Sequence, residues 1–142
     1  MKKVLILILC VVLNFGCATE KRTVDTVMMH DEAIEAIAKK LFKRHFTETL
    51  YTTNELSGDL TKKELRLLKN KLRCEKIYLF YNPAETPNAD SLVIFTRGGT
   101  WAKEHTVVVD MRKRPRPFPP AGLTKLTNKI YYRSVQAVIP IS

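Results

Sequence analysis

The spacing of apolar residues changes near Cys74, and this change limits the folds open to the chain. Before it, apolar side chains recur at helical spacing in two segments. After it, they lie in short segments rich in β-branched and aromatic residues, which are typical of strands. Grouped helices followed by grouped strands favour an α+β domain over alternating parallel units. The sequence therefore predicts two helices packed on one face of an antiparallel sheet of about four strands.

The two predicted helices differ in how their starts are marked. The first begins at Asp31 and ends near Phe46, with acidic residues in its first turn and basic residues in its last, an order that complements the helix dipole. The second begins after Thr61, which has capping-box spacing to Glu64, and ends near Arg73. Residues 47–60 are polar and are predicted to connect the two helices.

The predicted strands are separated by turns and by one proline-rich segment. Gly98-Gly99 is suited to a hairpin turn between the second and third strands. Residues 112–122 contain four prolines, which exclude regular structure there. The four predicted strands cover residues 76–81, 91–97, 100–111 and 129–139.

The N-terminal segment has the three regions of a secretory signal peptide. Lys2 and Lys3 precede an apolar run from Val4 to Leu13, and a small residue, Gly16, lies near its end. A transmembrane helix needs about 20 apolar residues, and charged residues follow here from Glu20 onward. The segment therefore predicts export, not a membrane span.

Gly16-Cys17 at the end of this run resembles the lipobox of bacterial lipoproteins. The resemblance implies that residues 1–16 are removed as a signal peptide and that the Cys17 thiol carries a lipid anchor. Residues 17–30 are then predicted to be a tether and residues 31–142 a single α+β domain. Ala18 and Thr19 lack the aspartate-type inner-membrane retention signal, which favours the outer membrane in an organism with two membranes.

The cysteines leave a second interpretation open. Cys10 would be removed with the signal peptide, so Cys74 would be the one free thiol if Cys17 is lipidated. Alternatively, an ordinary signal peptidase cleaves the chain and Cys17 forms a disulfide with Cys74. We expect Cys74 to be a small buried residue near the end of the second helix.

The chain is strongly basic, with a formal net charge of +10. Without Lys2 and Lys3, 22 basic residues remain against 14 acidic ones. In the cytoplasm such an excess would indicate a nucleic-acid partner. For an exported chain we instead expect no nucleic acid, and contact with anionic envelope components or an ordinary solvated surface.

The sequence carries little sign of catalysis. The three histidines form no metal-binding motif, no cofactor motif is present, and the carboxylates are scattered. We expect no metal, no cofactor and no enzymatic activity. The alternative is a small envelope enzyme that uses Cys74 or His105.

The most promising binding residues lie in the proline-rich segment and beside the Gly-Gly turn. We expect an envelope protein or an anionic polymer to be bound there, with an inhibitor or immunity role as a variant of the same hypothesis. The alternatives without a binding role are that the proline-rich segment is only a stiff basic loop and that Trp101 covers the core of the sheet. The candidate contact residues are Arg112, Lys113, Arg114, Arg116, Phe118 and Trp101.

Overall fold

The computed structural model describes residues 20–44, 49–80, 91–98, 103–112, 118–119 and 121–135. Helix α1 covers the described residues 20–29, and α2 covers Asp31–Arg44. A 3₁₀ turn at Ser57–Asp59 precedes α3 at Lys62–Arg66, which continues as a π-helix over Leu67–Lys71. The six strands are β1 Thr49–Thr52, β2 Lys76–Phe80, β3 Leu92–Arg97, β4 Glu104–Asp110, β5 Thr124–Lys125 and β6 Ile130–Val135.

The predicted α+β class is confirmed, because helices come first and an antiparallel sheet follows. The sheet order is β1-β2-β3-β4-β6-β5, and every pairing is antiparallel. The four predicted strands form its centre. The short strands β1 and β5 add one strand at each edge, so the described sheet has six strands where about four were predicted.

Helix α1 occupies part of the segment that was predicted to be a tether. Residues 20–29 are helical, and the side chain of Val27 is fully buried in the core. Thr23 is also buried, four residues before Val27 and therefore on the same helix face. Two buried positions are too few to produce a helical pattern in the sequence. The helix is recognisable only from its packing against the rest of the core.

Helix α2 agrees closely with the prediction. It begins at Asp31 and ends at Arg44, with acidic residues in the first turn and basic residues in the last. His30 interrupts the helical run between α1 and α2. The buried face of α2 is made of Ile34, Ile37, Ala38 and Leu41.

The capping box at the start of α3 is present in full. The amide of Glu64 donates to the Thr61 hydroxyl, and the amide of Thr61 donates to the Glu64 carboxylate at 2.7 Å. The helix then widens into a π-turn, in which the amide of Leu72 donates to the carbonyl of Leu67 five residues earlier. Leu67 and Leu68 of this turn are buried in the core, whereas Leu65 of α3 is only partly buried.

The strands divide their side chains between two faces of the sheet. One face, here called the helix face, packs with α1, α2 and α3 in a single core cluster; its strand residues include Ile77, Val93, Phe95 and Val107. The opposite face, here called the far face, carries a row of paired residues across four strands, Tyr78, Ile94, Val108 and Tyr131. The two neighbours Tyr131 and Tyr132 lie on opposite faces, as the strand period predicts.

Candidate functional site

The far face carries a groove of about 380 Å³. The row described above explains its apolar floor, because residues paired across antiparallel strands point to the same side of the sheet. Ala121 and Leu123 form one wall, although they belong to no regular element. The lining residues on the strands are Tyr78, Leu92, Ile94, Thr96, Glu104, Thr106, Val108 and Arg133.

One end of the groove is polar and carries both signs of charge. Thr96, Thr106 and Arg133 are paired in one row across three strands, and the Thr106 hydroxyl lies 3.4 Å from a Glu104 carboxylate oxygen. The Arg133 side chain is exposed. An apolar floor with a few polar groups at one end is the usual make-up of a binding groove.

Arg112 and Phe118, two of the predicted contact residues, have different surroundings. The Arg112 side chain is paired with the buried carboxylate of Asp110, with 3.2 Å between Arg112 Nε and Asp110 Oδ2. The Arg112 amide also donates to the same carboxylate at 3.0 Å. Most of the Arg112 side chain is therefore shielded, whereas Phe118 is 78% exposed and presents its ring to solvent.

The other predicted site residues lie outside the described residues. Cys17 is the predicted lipidation site, and the rest belong to the predicted partner contact: Trp101, Lys113, Arg114 and Arg116. Their roles stay predictions.

Cys74 is buried, as the sequence predicts, and its surroundings oppose thiolate formation. Burial raises the pKa of the Cys74 thiol to about 11. The thiol lies 3.3 Å from the carbonyl oxygen of Lys76, to which it donates. The Thr53 hydroxyl donates to the backbone carbonyl of Cys74 at 2.8 Å, which fixes the local backbone. At neutral pH this thiol is a weak nucleophile.

His105 forms a buried pair with Tyr132 on the helix face. The distance between His105 Nδ1 and the Tyr132 hydroxyl is 2.6 Å. Burial raises the pKa of Tyr132 to about 12, and the nearby Glu20 carboxylate adds to this. Burial also lowers the pKa of His105, with a further contribution from the Arg97 cation. Both shifts favour a neutral pair joined by one hydrogen bond between the imidazole and the Tyr132 hydroxyl, whose direction depends on the tautomer of His105.

Basic residues from separate parts of the chain gather at the end of the sheet beside this pair, here called the basic end. Arg97 is paired with His105, and Lys76 lies in the same row as Thr96, Thr106 and Arg133. Helix α1 reaches this end, because a Glu20 carboxylate oxygen lies 3.8 Å from Lys103 Nζ. The cations described at the basic end are Lys21, Arg22, Arg73, Lys76, Arg97, Lys103 and Arg133.

Charge repulsion at the basic end acts on the side chain of Arg97. Burial lowers the pKa of Arg97, and the neighbouring cations Arg73 and Arg22 lower it further, whereas Glu75 opposes the shift. The carboxylates described at this end are fewer than the cations: Glu20, Glu55, Glu75 and Glu104. No single charge run in the sequence reveals this cluster, because its members come from α1, from the segment after α3 and from separate strands.

No family model, curated protein or solved structure gives a significant match to this chain. Within the described ranges, no three histidine, cysteine or carboxylate side chains come together in a way that could hold a metal ion. The helices in the same ranges are all too short or too polar to span a bilayer.

Proposed function

We propose that this chain is a bacterial envelope lipoprotein, anchored by lipid at Cys17, whose domain binds a partner and does not catalyse a reaction. The sequence supports the anchor through the signal-peptide pattern and the Gly16-Cys17 junction. The observation that supports binding is the groove on the far face, which leaves the apolar side chains of Tyr78, Leu92 and Ile94 only partly covered.

The composition of the groove favours a protein partner. Tyrosine and aliphatic side chains with a single arginine at the rim resemble the centre of a protein interface, where such residues contribute most of the affinity. The exposed ring of Phe118 belongs to the segment that precedes the wall residues Ala121 and Leu123. It supplies a further apolar contact within the part of the chain that the sequence predicted to bind.

The anchor is tested by metabolic labelling with a fatty acid. The wild-type protein should incorporate the label and sediment with membranes, and Cys17→Ser should do neither, because the thioether cannot form. Cys74→Ser is the matched control and should be labelled like the wild type. Equal labelling of the wild type and Cys17→Ser would reject the anchor.

The binding surface is tested by photocrosslinking in living cells. A photoreactive phenylalanine analogue at position 78 should give discrete adducts with an envelope protein. The same analogue at Lys62, an exposed position on α3, serves as the control. If position 78 gives no adduct, or the same adducts as position 62, the far face is not the binding surface.

A further inference from the structure

The basic end of the sheet lies next to the point where the proposed anchor would enter the bilayer. From this we propose that the basic end faces that bilayer and contacts its anionic phospholipid headgroups. The inference rests on the proposed lipidation of Cys17. It goes further by assigning an orientation to the domain and a lipid-binding role to residues that the sequence did not single out.

Covalent geometry keeps the anchor close to α1. Three residues of chain separate the Cα atoms of Cys17 and Glu20, and fully extended chain spans at most about 3.6 Å per residue. The two atoms therefore lie within about 11 Å of each other in every conformation. The headgroup region is about 5–7 Å thick on each side of a bilayer, so Glu20 is held at or just above the headgroups.

Glu20 belongs to the basic end through its contacts. Its carboxylate is 3.8 Å from Lys103 Nζ, just before β4 begins. Its negative charge also raises the pKa values of His105 and Tyr132, which lie on the neighbouring strands β4 and β6 and point to the helix face. An anchor held near Glu20 therefore brings the ends of β3, β4 and β6 toward the membrane, and with them the cations of the basic end.

The charge of the basic end complements an anionic bilayer. Among the described residues of the basic end, cations outnumber carboxylates, so this end carries a net positive charge. Arg97 lies close enough to Arg73 and to Arg22 for each of these cations to lower its pKa by repulsion. A phosphate oxygen near these guanidinium groups relieves that repulsion, and arginine is well suited to phosphate because its N–H donors form a planar fork.

Trp101 provides a built-in probe of this orientation. It is the single tryptophan of the chain, and two residues of chain hold its Cα within about 7 Å of that of Lys103. The mature lipidated protein would be reconstituted into vesicles of phosphatidylcholine alone or with phosphatidylglycerol. Quenching of Trp101 fluorescence by acrylamide should be weaker in the anionic vesicles. The difference should shrink at high salt, because salt screens the attraction.

A charge-reversal pair locates the contact. Each cation at an anionic surface shifts the membrane-facing population by about fivefold, so Lys21→Glu with Arg22→Glu should restore strong quenching in anionic vesicles. Both side chains are exposed, so neither substitution disturbs the core. Lys125→Glu with Lys129→Glu makes the same change in charge at the other end of the sheet and should leave Trp101 protected.

The outcomes test the lipid anchor at Cys17 and the orientation of the domain on the bilayer separately. Mass measurement of the purified protein shows whether Cys17 carries lipid, and its absence would reject both the anchor and the inference. A lipidated protein whose Trp101 is quenched equally in both kinds of vesicle would overturn the orientation alone. The orientation would also be overturned if the two charge-reversal pairs had equal effects.

Discussion

At the scale of single residues, burial favours the neutral forms of three ionisable side chains, those of His105, Tyr132 and Cys74. Tyr132 and His105 are both buried, and each pKa moves in the direction that disfavours charge. Cys74 follows the same rule, because burial raises its pKa to about 11. These groups therefore link the stability of the fold to pH and to chemical modification.

The first prediction concerns His105 and pH. Its pKa is lower in the folded chain than in the unfolded chain, where it is about 6.5, so the unfolded chain binds a proton first as the pH falls. The free energy of unfolding should therefore have its full value above about pH 6.5. Below that pH it should fall progressively, down through the pKa of His105 in the folded chain. Urea unfolding midpoints at pH 5.5 and 7.5 measure this loss, and His105→Gln should reduce it.

Glu20→Gln is the matched variant for this prediction. The Glu20 carboxylate raises the pKa of His105 and partly offsets the effect of burial. Removing its charge should lower that pKa further and make the loss of stability at acidic pH steeper. A loss that is identical in the wild type, His105→Gln and Glu20→Gln would show that His105 is not its source.

The second prediction concerns the reactivity of Cys74. Its thiol is buried and donates to the Lys76 carbonyl, so a thiol reagent at pH 7.5 should label very slowly the folded variant that carries both Cys10→Ser and Cys17→Ser. The same reagent should label it fully in denaturant. Rapid labelling of the folded protein would contradict the buried, neutral thiol.

The same reagent distinguishes the two interpretations of Cys17. In the mature wild-type protein, a lipid anchor leaves Cys74 reactive in denaturant without reductant. A Cys17–Cys74 disulfide would instead block labelling until reductant is added.

At the scale of elements, helix α3 depends on Glu64 for both its start and its attachment to α2. Burial of Glu64 opposes its ionisation, but hydrogen bonds from the Lys40 side chain and the Thr61 amide lower its pKa overall. The Lys40 Nζ atom lies 2.6 and 2.7 Å from the two carboxylate oxygens. One carboxylate therefore caps α3 and joins it to α2.

The third prediction tests the capping box. Thr61→Ala removes the acceptor for the Glu64 amide and should lower the free energy of unfolding by about 1 kcal/mol. Chemical denaturation measures the change. Thr61→Ser keeps the hydroxyl and should retain most of the stability. If the two variants were equally destabilised, loss of the threonine methyl group rather than of the cap would be responsible.

The sequence predicted the elements that carry a local signal, such as ordered charges or a capping box. It missed the short edge strands, which exist only through their pairing with a neighbouring strand. Helix α2 and the start of α3 were predictable from dipole-ordered charges and the Thr61–Glu64 spacing. Strand β1, Thr49–Thr52, lies in the segment 47–60, which was predicted to be a connection because it is rich in Thr, Asn, Ser and Gly, and it is a strand through its pairing with β2. Strand β5 has two residues and depends on β6 in the same way.

The candidate sites also divide into features that the local sequence indicates and features that form only when separate strands pair. Phe118 was predicted to be a partner contact from its place in the proline-rich segment; the structure shows its ring exposed, and the contact itself stays a prediction. The groove and the basic end were not predictable, because each joins residues from separate strands. Only the register aligns Lys76 with Arg133, or Tyr78 with Ile94 and Val108.

At the scale of the whole molecule, the core extends to the N-terminal helix. Val27 of α1 belongs to the same cluster as residues of α2, α3 and the sheet, and its side chain is fully buried. Removal of apolar atoms from such a position leaves a cavity that the surrounding side chains fill only in part.

The fourth prediction follows from the place of Val27 in the core cluster. Val27→Ala should lower the free energy of unfolding by about 2 kcal/mol, because two methyl groups leave the core. Met28→Ala alters the next residue, which is 51% exposed, and should have a much smaller effect. Equal effects of the two substitutions in urea unfolding would show that α1 is not part of the cooperative core.

The strand order has a consequence for how quickly the domain forms. From β1 to β4 each strand pairs with the next one in sequence, and β6 departs from this order only by lying between β4 and β5. Each pairing from β1 to β4 closes only the connection between two consecutive strands, and a sheet built in this way should form faster than one whose neighbouring strands are far apart in sequence. We therefore expect the sheet to grow strand by strand as the chain emerges from a ribosome or a membrane pore, with little time for unpaired edges to aggregate.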